Sequence, residues 1–169
     1  QRVGTVDIEG AEQGTAIVHS SVDGRGKILE TLTFAELDSS STALAGWLVC
    51  RRDDEKVALL CYPPGGLDFV FAFHGCLKAG VIAVPVFPPQ FRRSTEMDAI
   101  RSIARDCGAT RALTTTAYAR FVRLKSSNGF FLSWIPTDTF LEGSGRNEAA
   151  TTTVLERDRS STAFLQYTS

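Results

Sequence analysis

One stretch of this chain constrains its fold more than any other: two short apolar runs that flank a helical pattern. The first run covers residues 57–62, and the second, which is rich in β-branched residues, covers residues 81–87. Residues 63–66 read Pro-Pro-Gly-Gly and end the first apolar run. The helical pattern that follows ends at Gly80, since glycine accepts the left-handed conformation of a helix C-terminus. Strands that are apolar almost throughout are typical of parallel sheets covered on both faces, so the stretch predicts a βαβ unit.

Before this unit, the sequence predicts a hairpin and a helix. Residues 15–19 and 27–31 flank the turn signal Asp-Gly-Arg-Gly and are expected to pair. Thr33 and Glu36 have the spacing of a capping box, in which each side chain accepts a hydrogen bond from the backbone N–H of the other residue. The helix that begins there is expected to run to about Arg51 and to pack on the sheet.

After the unit, helical and strand patterns continue to alternate. Thr95 and Asp98 predict a second capping box, and Gly108 predicts the end of that helix. The elements predicted beyond it are a strand at 111–116, a helix at 118–124, a strand at 130–135 and a strand at 162–167. The expected fold class is therefore α/β, a mostly parallel sheet flanked by helices. Ligand sites of such sheets lie at the carboxyl ends of the strands, where residues 63–66 and 88–90 are expected.

The composition excludes several classes of function. The 169 residues allow roughly one domain, and 18 basic and 19 acidic residues are well mixed, for a net charge of −1. This balance offers no basic surface for nucleic acid, and the apolar stretches are shorter than the roughly 20 residues of a transmembrane segment. The four cysteines lack the spacing of a zinc site, so no metal site is predicted. We interpret them as buried free thiols of a reducing compartment and expect a cytoplasmic protein.

Several polar residues carry no catalytic assignment. The inner face of the central helix is predicted to consist of Leu67, Val70, Phe71, His74 and Leu77. A lone histidine on an apolar face, such as His74, is more often packed than catalytic. The acidic residues 53–55 are interpreted as a solvated turn, and the arginines at 92–93 as surface residues rather than phosphate ligands.

Four stretches of the chain resemble the adenylate-forming enzymes and, within them, the fatty acyl-AMP ligases. They are LTFAELD at residues 32–38, YPPGGLDF at 62–69 with its continuation to the prolines at 88–89, WIPTD at 134–138 and AFLQYTS at 163–169. The first and last are similar to motifs shared across the superfamily, whereas the paired prolines and Leu-Gln-Tyr-Thr-Ser resemble the fatty acyl-AMP ligases more narrowly. His74 and the second glycine of the pair at 65–66 depart from that pattern.

This resemblance implies a reaction in two steps. A fatty carboxylate attacks the α-phosphate of ATP, which is bound with Mg²⁺, and the acyl group then passes to the phosphopantetheine thiol of an acyl carrier protein. The last stretch resembles the strand that leads into the family's phosphate-binding loop. Thr168 and Ser169 are therefore implied to donate hydrogen bonds to the β- and γ-phosphates. The resemblance assigns no catalytic residue and no metal ligand within the chain.

The same resemblance sets the expected domain organisation. Residues 1–27 are expected to form an N-terminal extension with a hairpin, and residues 28–169 to form part of an adenylation domain up to its phosphate-binding loop. We expect the chain to belong to a longer protein, such as a lipid or polyketide synthase, and to be inactive alone. The alternatives are a coenzyme A ligase, an amino-acid-activating domain, or a degenerate non-catalytic domain used for lipid sensing or interaction.

Overall fold

The fold consists of a parallel sheet with helices and a separate antiparallel hairpin. The computed structural model describes residues 17–22, 25, 27–51, 56–91, 94–125, 132–140 and 160–168. Its elements in chain order are β1 (Ile17–Val22), β2 (Ile28–Thr33), α1 (Phe34–Cys50), β3 (Val57–Leu60), α2 (Asp68–Ala79), β4 (Ile82–Pro85), α3 (Ser94–Cys107), β5 (Arg111–Thr114), α4 (Thr116–Lys125), β6 (Ser133–Pro136) and a short 3-10 turn (Asp138–Phe140). The predicted hairpin is confirmed, since β1 and β2 pair in antiparallel orientation.

The four-stranded sheet has the order β4-β3-β5-β6, and its neighbouring strands are all parallel. Helix α2 connects β3 to β4 in one direction, whereas α3 carries the chain back past β3 to β5. The predicted βαβ unit is confirmed, and Gly80 ends α2 with a left-handed φ of 71°. The strand order reverses between β3 and β5, and in such sheets ligands bind at the carboxyl ends near this point.

The last described segment joins the edge of this sheet beside β4. The Ala83 N–H donates to the Ala163 carbonyl over 3.2 Å, and the Leu165 N–H donates to the Ala83 carbonyl over 2.9 Å. The result is a single parallel bridge between Ala83 and Phe164. The strand predicted over residues 162–167 is therefore wrong in length, because the described chain leaves the ladder after this one residue pair.

Helices cover both faces of the sheet. Alternate residues of β3 point to opposite faces: Ala58 and Leu60 pack in the core under α1 and α2, whereas Leu59 packs in the core under α3 and α4. All three side chains are buried, as strands covered on both faces require. The expected fold class is thus confirmed. Within the described ranges, none of the helices has the length and apolar character that crossing a membrane would need.

The inner face of α2 differs from the predicted one. Its buried residues are Phe71, Ala72, Gly75, Cys76 and Ala79. Of the predicted face, Leu67 and Phe71 are buried and Val70 packs against the core, whereas His74 and Leu77 are only half-buried. Size is the physical reason, since small residues let α2 approach α1 closely. A Cβ atom on Gly75 would lie only 2.9 Å from Leu44 Cδ2 of α1.

The capping box at the start of α1 is confirmed. The Glu36 N–H donates to Thr33 Oγ1 over 3.2 Å, and the Thr33 N–H donates to Glu36 Oε2 over 2.9 Å. The hydrogen bonds that Thr33 donates from its backbone and its hydroxyl hold the pKa of Glu36 below its ordinary value. Leu32 and Leu37, which flank the cap, are both buried in the core.

The second predicted capping box is wrong. Helix α3 begins at Ser94, so Thr95 already lies within it, and Asp98 pairs with Arg101 over 3.1 Å. Glu96 instead accepts the Gln90 N–H over 2.6 Å and ties the preceding loop to the helix. The spacing of a capping box in the sequence therefore does not by itself place the start of a helix.

Replacing Thr33 with alanine is expected to lower the free energy of unfolding by about 1 kcal/mol, the typical cost of a lost N-cap. Because the pKa of Glu36 is lower in the folded chain, its contribution is present above the ordinary glutamate pKa of about 4.3 and is lost as the pH falls through the folded value. Urea unfolding from about pH 7 to pH 3 measures both effects. Thr31→Ala, at an exposed position of β2, is the control. Equal midpoints for the two variants would contradict the expected role of Thr33.

Some predicted features lie outside the described residues: the acidic residues 53–55, the arginines at 92–93 and Ser169. The boundary predicted after residue 27 falls inside the hairpin, because β2 pairs with β1 across it. The division of the chain into residues 1–27 and 28–169 stays a prediction.

Candidate functional site

A cleft of about 420 Å³ opens at the carboxyl ends of β3 and β4. The loop of residues 63–66 and residues 85–88 contribute to its walls, and Leu60, Tyr62 and Phe69 complete the lining. The two loops that the sequence places at this edge do meet there, because the parallel strands that precede them end side by side. The cleft is therefore the candidate site that the described residues build.

Two further grooves adjoin the cleft and share Phe87 with it. One, of about 290 Å³, runs between the proline pairs at 63–64 and 88–89 and is bounded by Tyr118. The other, of about 320 Å³, lies against α3. Phe87 is 73% exposed although it is apolar. This edge of the sheet suits an apolar ligand group better than a charged one.

A buried chain of hydroxyl groups crosses the same edge. Tyr62 follows β3, Thr114 ends β5 and Thr137 follows β6. The Thr137 hydroxyl donates to the Thr114 carbonyl over 3.3 Å, so the Tyr62 hydroxyl, 2.6 Å from Thr137 Oγ1, is the donor in that contact. The Thr114 hydroxyl donates to the Cys61 carbonyl over 2.6 Å. Burial raises the pKa of Tyr62 well above its ordinary value, so the phenol stays neutral and able to donate.

A second set of contacts fixes α4 to this edge. The Asp138 carboxylate accepts the Thr116 N–H over 2.9 Å and the Thr116 hydroxyl over 2.8 Å. It thereby satisfies one of the N–H groups that the start of a helix leaves without a partner. The Thr115 hydroxyl accepts the Tyr118 N–H over 3.2 Å, and the Tyr118 hydroxyl donates to the Pro89 carbonyl over 2.5 Å. The hydrogen bond from Tyr118 thus fixes one wall of the groove between the proline pairs to α4.

The hydroxyl chain is not apparent from the sequence pattern. Its residues, at positions 62, 114 and 137, lie at or just beyond the carboxyl ends of three observed strands, but only position 62 ends a predicted one. Tyr62 and Thr137 are 75 positions apart, so only the strand order brings them together.

The reactive side chains considered from the sequence lie outside the cleft. His74 is half-buried, and its ring meets the Phe73 ring edge-to-face with 6.2 Å between centroids. Burial raises the pKa of Cys61 and of Cys76 to about 12, so both thiols stay protonated at neutral pH. All four cysteines are free thiols, and the predicted burial is confirmed for these two. It is wrong for Cys50, which is exposed at the end of α1, and Cys107 is only half-buried.

Thr168, the described member of the predicted phosphate-binding pair, is exposed and does not belong to the lining of the cleft. The hydroxyl of its neighbour Tyr167 donates to Asp106 Oδ2 over 2.5 Å, and this bond raises the pKa of Tyr167 to about 12. Asp106 lies in the last turn of α3, the end that leads into β5. The Tyr167 side chain therefore points towards the amino ends of the strands. The phosphate contacts of Thr168 and Ser169 stay a prediction.

The sequence as a whole decides the family. The model that describes AMP-binding enzymes matches residues 9–169. The chain belongs to the AMP-binding enzyme family. The resemblance that the four stretches carry is thereby confirmed, and one of those stretches, from residue 62 to residue 89, supplies most of the cleft.

Relatives of this AMP-binding chain include ligases of fatty acids. JamA of Moorena producens, a medium-chain-fatty-acid–[acyl-carrier-protein] ligase, is 32% identical over 133 residues, which are 75% of this chain and 22% of JamA. Disco-interacting protein 2 homolog B-A of Danio rerio is 33% identical over 150 residues, 77% of this chain and 9% of that protein. The crystal structure of a fatty acyl-adenylate ligase from Legionella pneumophila, in complex with acyl adenylate and pyrophosphate, matches 88% of this chain and 24% of that chain, with a TM-score of 0.69 and 26% identity. The chain thus spans about a quarter or less of each of these relatives.

Proposed function

We propose that this chain is part of a cytoplasmic ligase that activates fatty acids with ATP and passes the acyl group to an acyl carrier protein, as a domain of a lipid or polyketide synthase. The observation that carries the proposal is the family match along residues 9–169. The choice of a fatty acid as substrate is supported by relatives such as JamA, whose name gives a fatty acid and a carrier protein. The apolar cleft at the carboxyl ends of β3 and β4 is compatible with such a substrate.

The proposed reaction has two steps. A carboxylate oxygen of the fatty acid bonds to the α-phosphorus of ATP, the bond from that phosphorus to the β-phosphate bridge breaks, and pyrophosphate leaves. The thiol of the carrier then loses its proton, its sulfur bonds to the acyl carbon, and AMP leaves with the oxygen that came from the acid. Such transfers depend on positioning and on stabilisation of charge more than on covalent chemistry by the protein.

Within this chain we assign the phosphate contacts to Thr168 and Ser169. Small hydroxyl residues let backbone N–H groups approach phosphate oxygens and add donors of their own. Thr168 is exposed, which leaves its hydroxyl open to a ligand. We treat Mg²⁺ as the ion that accompanies ATP and assign it no ligand here, since the described residues hold no group of three His, Cys, Asp or Glu side chains that would bind it.

The test is exchange of labelled pyrophosphate into ATP by the longest polypeptide that the natural gene encodes, here called the natural polypeptide. We expect exchange that depends on a medium- or long-chain fatty acid, and transfer of the acyl group to a holo-acyl carrier protein rather than to coenzyme A. The 169-residue chain alone should give no exchange. Exchange driven by amino acids, or transfer to coenzyme A alone, would favour the other ligase classes, and no exchange with any acid would contradict the proposal.

A second candidate is a non-catalytic domain that binds a lipid or a partner. It is favoured by the 33% identity to disco-interacting protein 2 homolog B-A, whose name gives an interaction and no reaction, beside the 32% identity to JamA. Binding of a fatty acid by the natural polypeptide without any exchange would support this candidate over the ligase.

A further inference from the structure

The hydroxyl of Tyr62 reaches across one strand of the sheet. Tyr62 follows β3 and Thr137 follows β6, and β5 lies between these two strands. Their hydrogen bond of 2.6 Å therefore spans the carboxyl end of β5. Thr114 and Thr137 are fully buried and Tyr62 is 7% exposed, so water does not replace the bond at low cost.

Tyr62 also belongs to the cleft. It lines the cleft beside the loop of residues 63–66, and its ring meets the Phe69 ring edge-to-face with 6.4 Å between centroids. The residues of the loop are all exposed, and Gly65 has a φ of 103°, which strains other residues. The exposed loop is held at its start by a side chain that is itself hydrogen-bonded to Thr137, the residue that follows β6.

We propose that Tyr62 is a positioning residue for the cleft: its bond to Thr137 fixes the Tyr62 ring, and through it the Phe69 ring and the loop of residues 63–66. The shape of the cleft then depends on β6, a strand that contributes no residue to its lining among those described. This role of Tyr62 goes beyond the proposed function and needs no catalytic activity. It rests on the contacts of the described side chains alone.

The test is ¹⁹F NMR of the natural polypeptide with 4-fluorophenylalanine at position 69 as the reporter. Thr137→Val removes the acceptor without touching the Phe69 ring. We expect the minor positions of this ring, seen as a split or broadened signal, to gain population about fivefold, a typical effect of one lost buried hydrogen bond. Tyr62→Phe should give the same minor signal, the double variant should add nothing further, and Thr137→Ser should restore the sharp signal.

The matched control is the same label at Phe91, whose ring pairs with Phe121 at 5.4 Å between centroids and packs against the core under α3 and α4. Its signal should stay unchanged in every variant. The inference is overturned if the Phe69 signal stays sharp in Thr137→Val and in Tyr62→Phe, or if the Phe91 signal changes equally, which would show general loosening. Because the readout needs no substrate, its failure leaves the proposed function untouched.

Discussion

A Thr168→Ala variant of the natural polypeptide is expected to turn over about 10²-fold more slowly than the unmodified protein, the usual cost of removing one donor that stabilises transition-state charge. The proposed contact is with the phosphates of ATP, where negative charge is redistributed as pyrophosphate leaves. Thr168 is exposed in the described structure, so the substitution should leave the free energy of unfolding unchanged within about 0.5 kcal/mol. Acid-dependent pyrophosphate exchange and urea unfolding, measured on the same preparation, separate the two effects.

Thr162→Ala is the matched control for this prediction. Thr162 is also an exposed threonine of the last described segment, and no phosphate contact is proposed for it. Its exchange rate should stay within about twofold of the unmodified protein. If Thr168→Ala keeps the full rate, or if both variants lose it equally, Thr168 does not belong to the phosphate site.

A Leu44→Ala variant is expected to lower the free energy of unfolding by about 2–5 kcal/mol, because it opens a cavity between α1 and α2. Leu44 is completely buried and lies over Gly75, where a Cβ atom would contact it. Urea unfolding of the variant measures the loss. Leu124→Ala, at an 86% exposed position of α4, is the control and should change stability by less than about 0.5 kcal/mol.

The contact between Leu44 and Gly75 predicts that the effect of Gly75→Ala on stability depends on the residue at position 44. In the unmodified chain, a Cβ on Gly75 would lie 2.9 Å from Leu44 Cδ2 and 3.0 Å from Leu44 Cγ, so Gly75→Ala should destabilise the fold by about 1–3 kcal/mol. In Leu44→Ala the two nearest atoms are gone, and the Cβ of residue 44, at 3.2 Å, needs to move by only a few tenths of an ångström. Alanine also gains up to about 1 kcal/mol of helix propensity over glycine. Gly75→Ala should then be neutral or stabilising. An equal cost in both backgrounds would show that the helices do not meet as described.

Much of the sheet can be predicted from the sequence because its signals are local. Continuous apolar runs mark β3 and β4, and the glycines at 80 and 108 end helices α2 and α3 with left-handed φ values. The inner face of α2 cannot be predicted in the same way. Hydrophobicity favours Val70 and Leu77, but close contact with α1 requires small residues, and that requirement is visible only once the helices are placed together.

The candidate site, too, can be predicted from the sequence only where its signals are local. The loops at 63–66 and 88–90 can be placed together because parallel strands end at one edge, and they line the cleft and the groove beside it. The bond between Tyr62 and Thr137 depends on strand order, which no local pattern contains. In the final segment, the strand pattern does not predict where the chain goes after it leaves the ladder. The Tyr167 side chain turns to α3 instead of the carboxyl edge of the sheet.

The most direct measurement of fatty acid activation follows the oxygen atoms of the acid. The natural polypeptide is supplied with ATP, a holo-acyl carrier protein and a fatty acid whose carboxylate carries ¹⁸O, and the nucleotide products are weighed by mass spectrometry. Attack of the carboxylate on the α-phosphorus predicts AMP that has gained one ¹⁸O atom, because that oxygen stays on phosphorus when the thiol takes the acyl group. Unlabelled AMP, or ADP as the nucleotide product, would contradict the proposed activation.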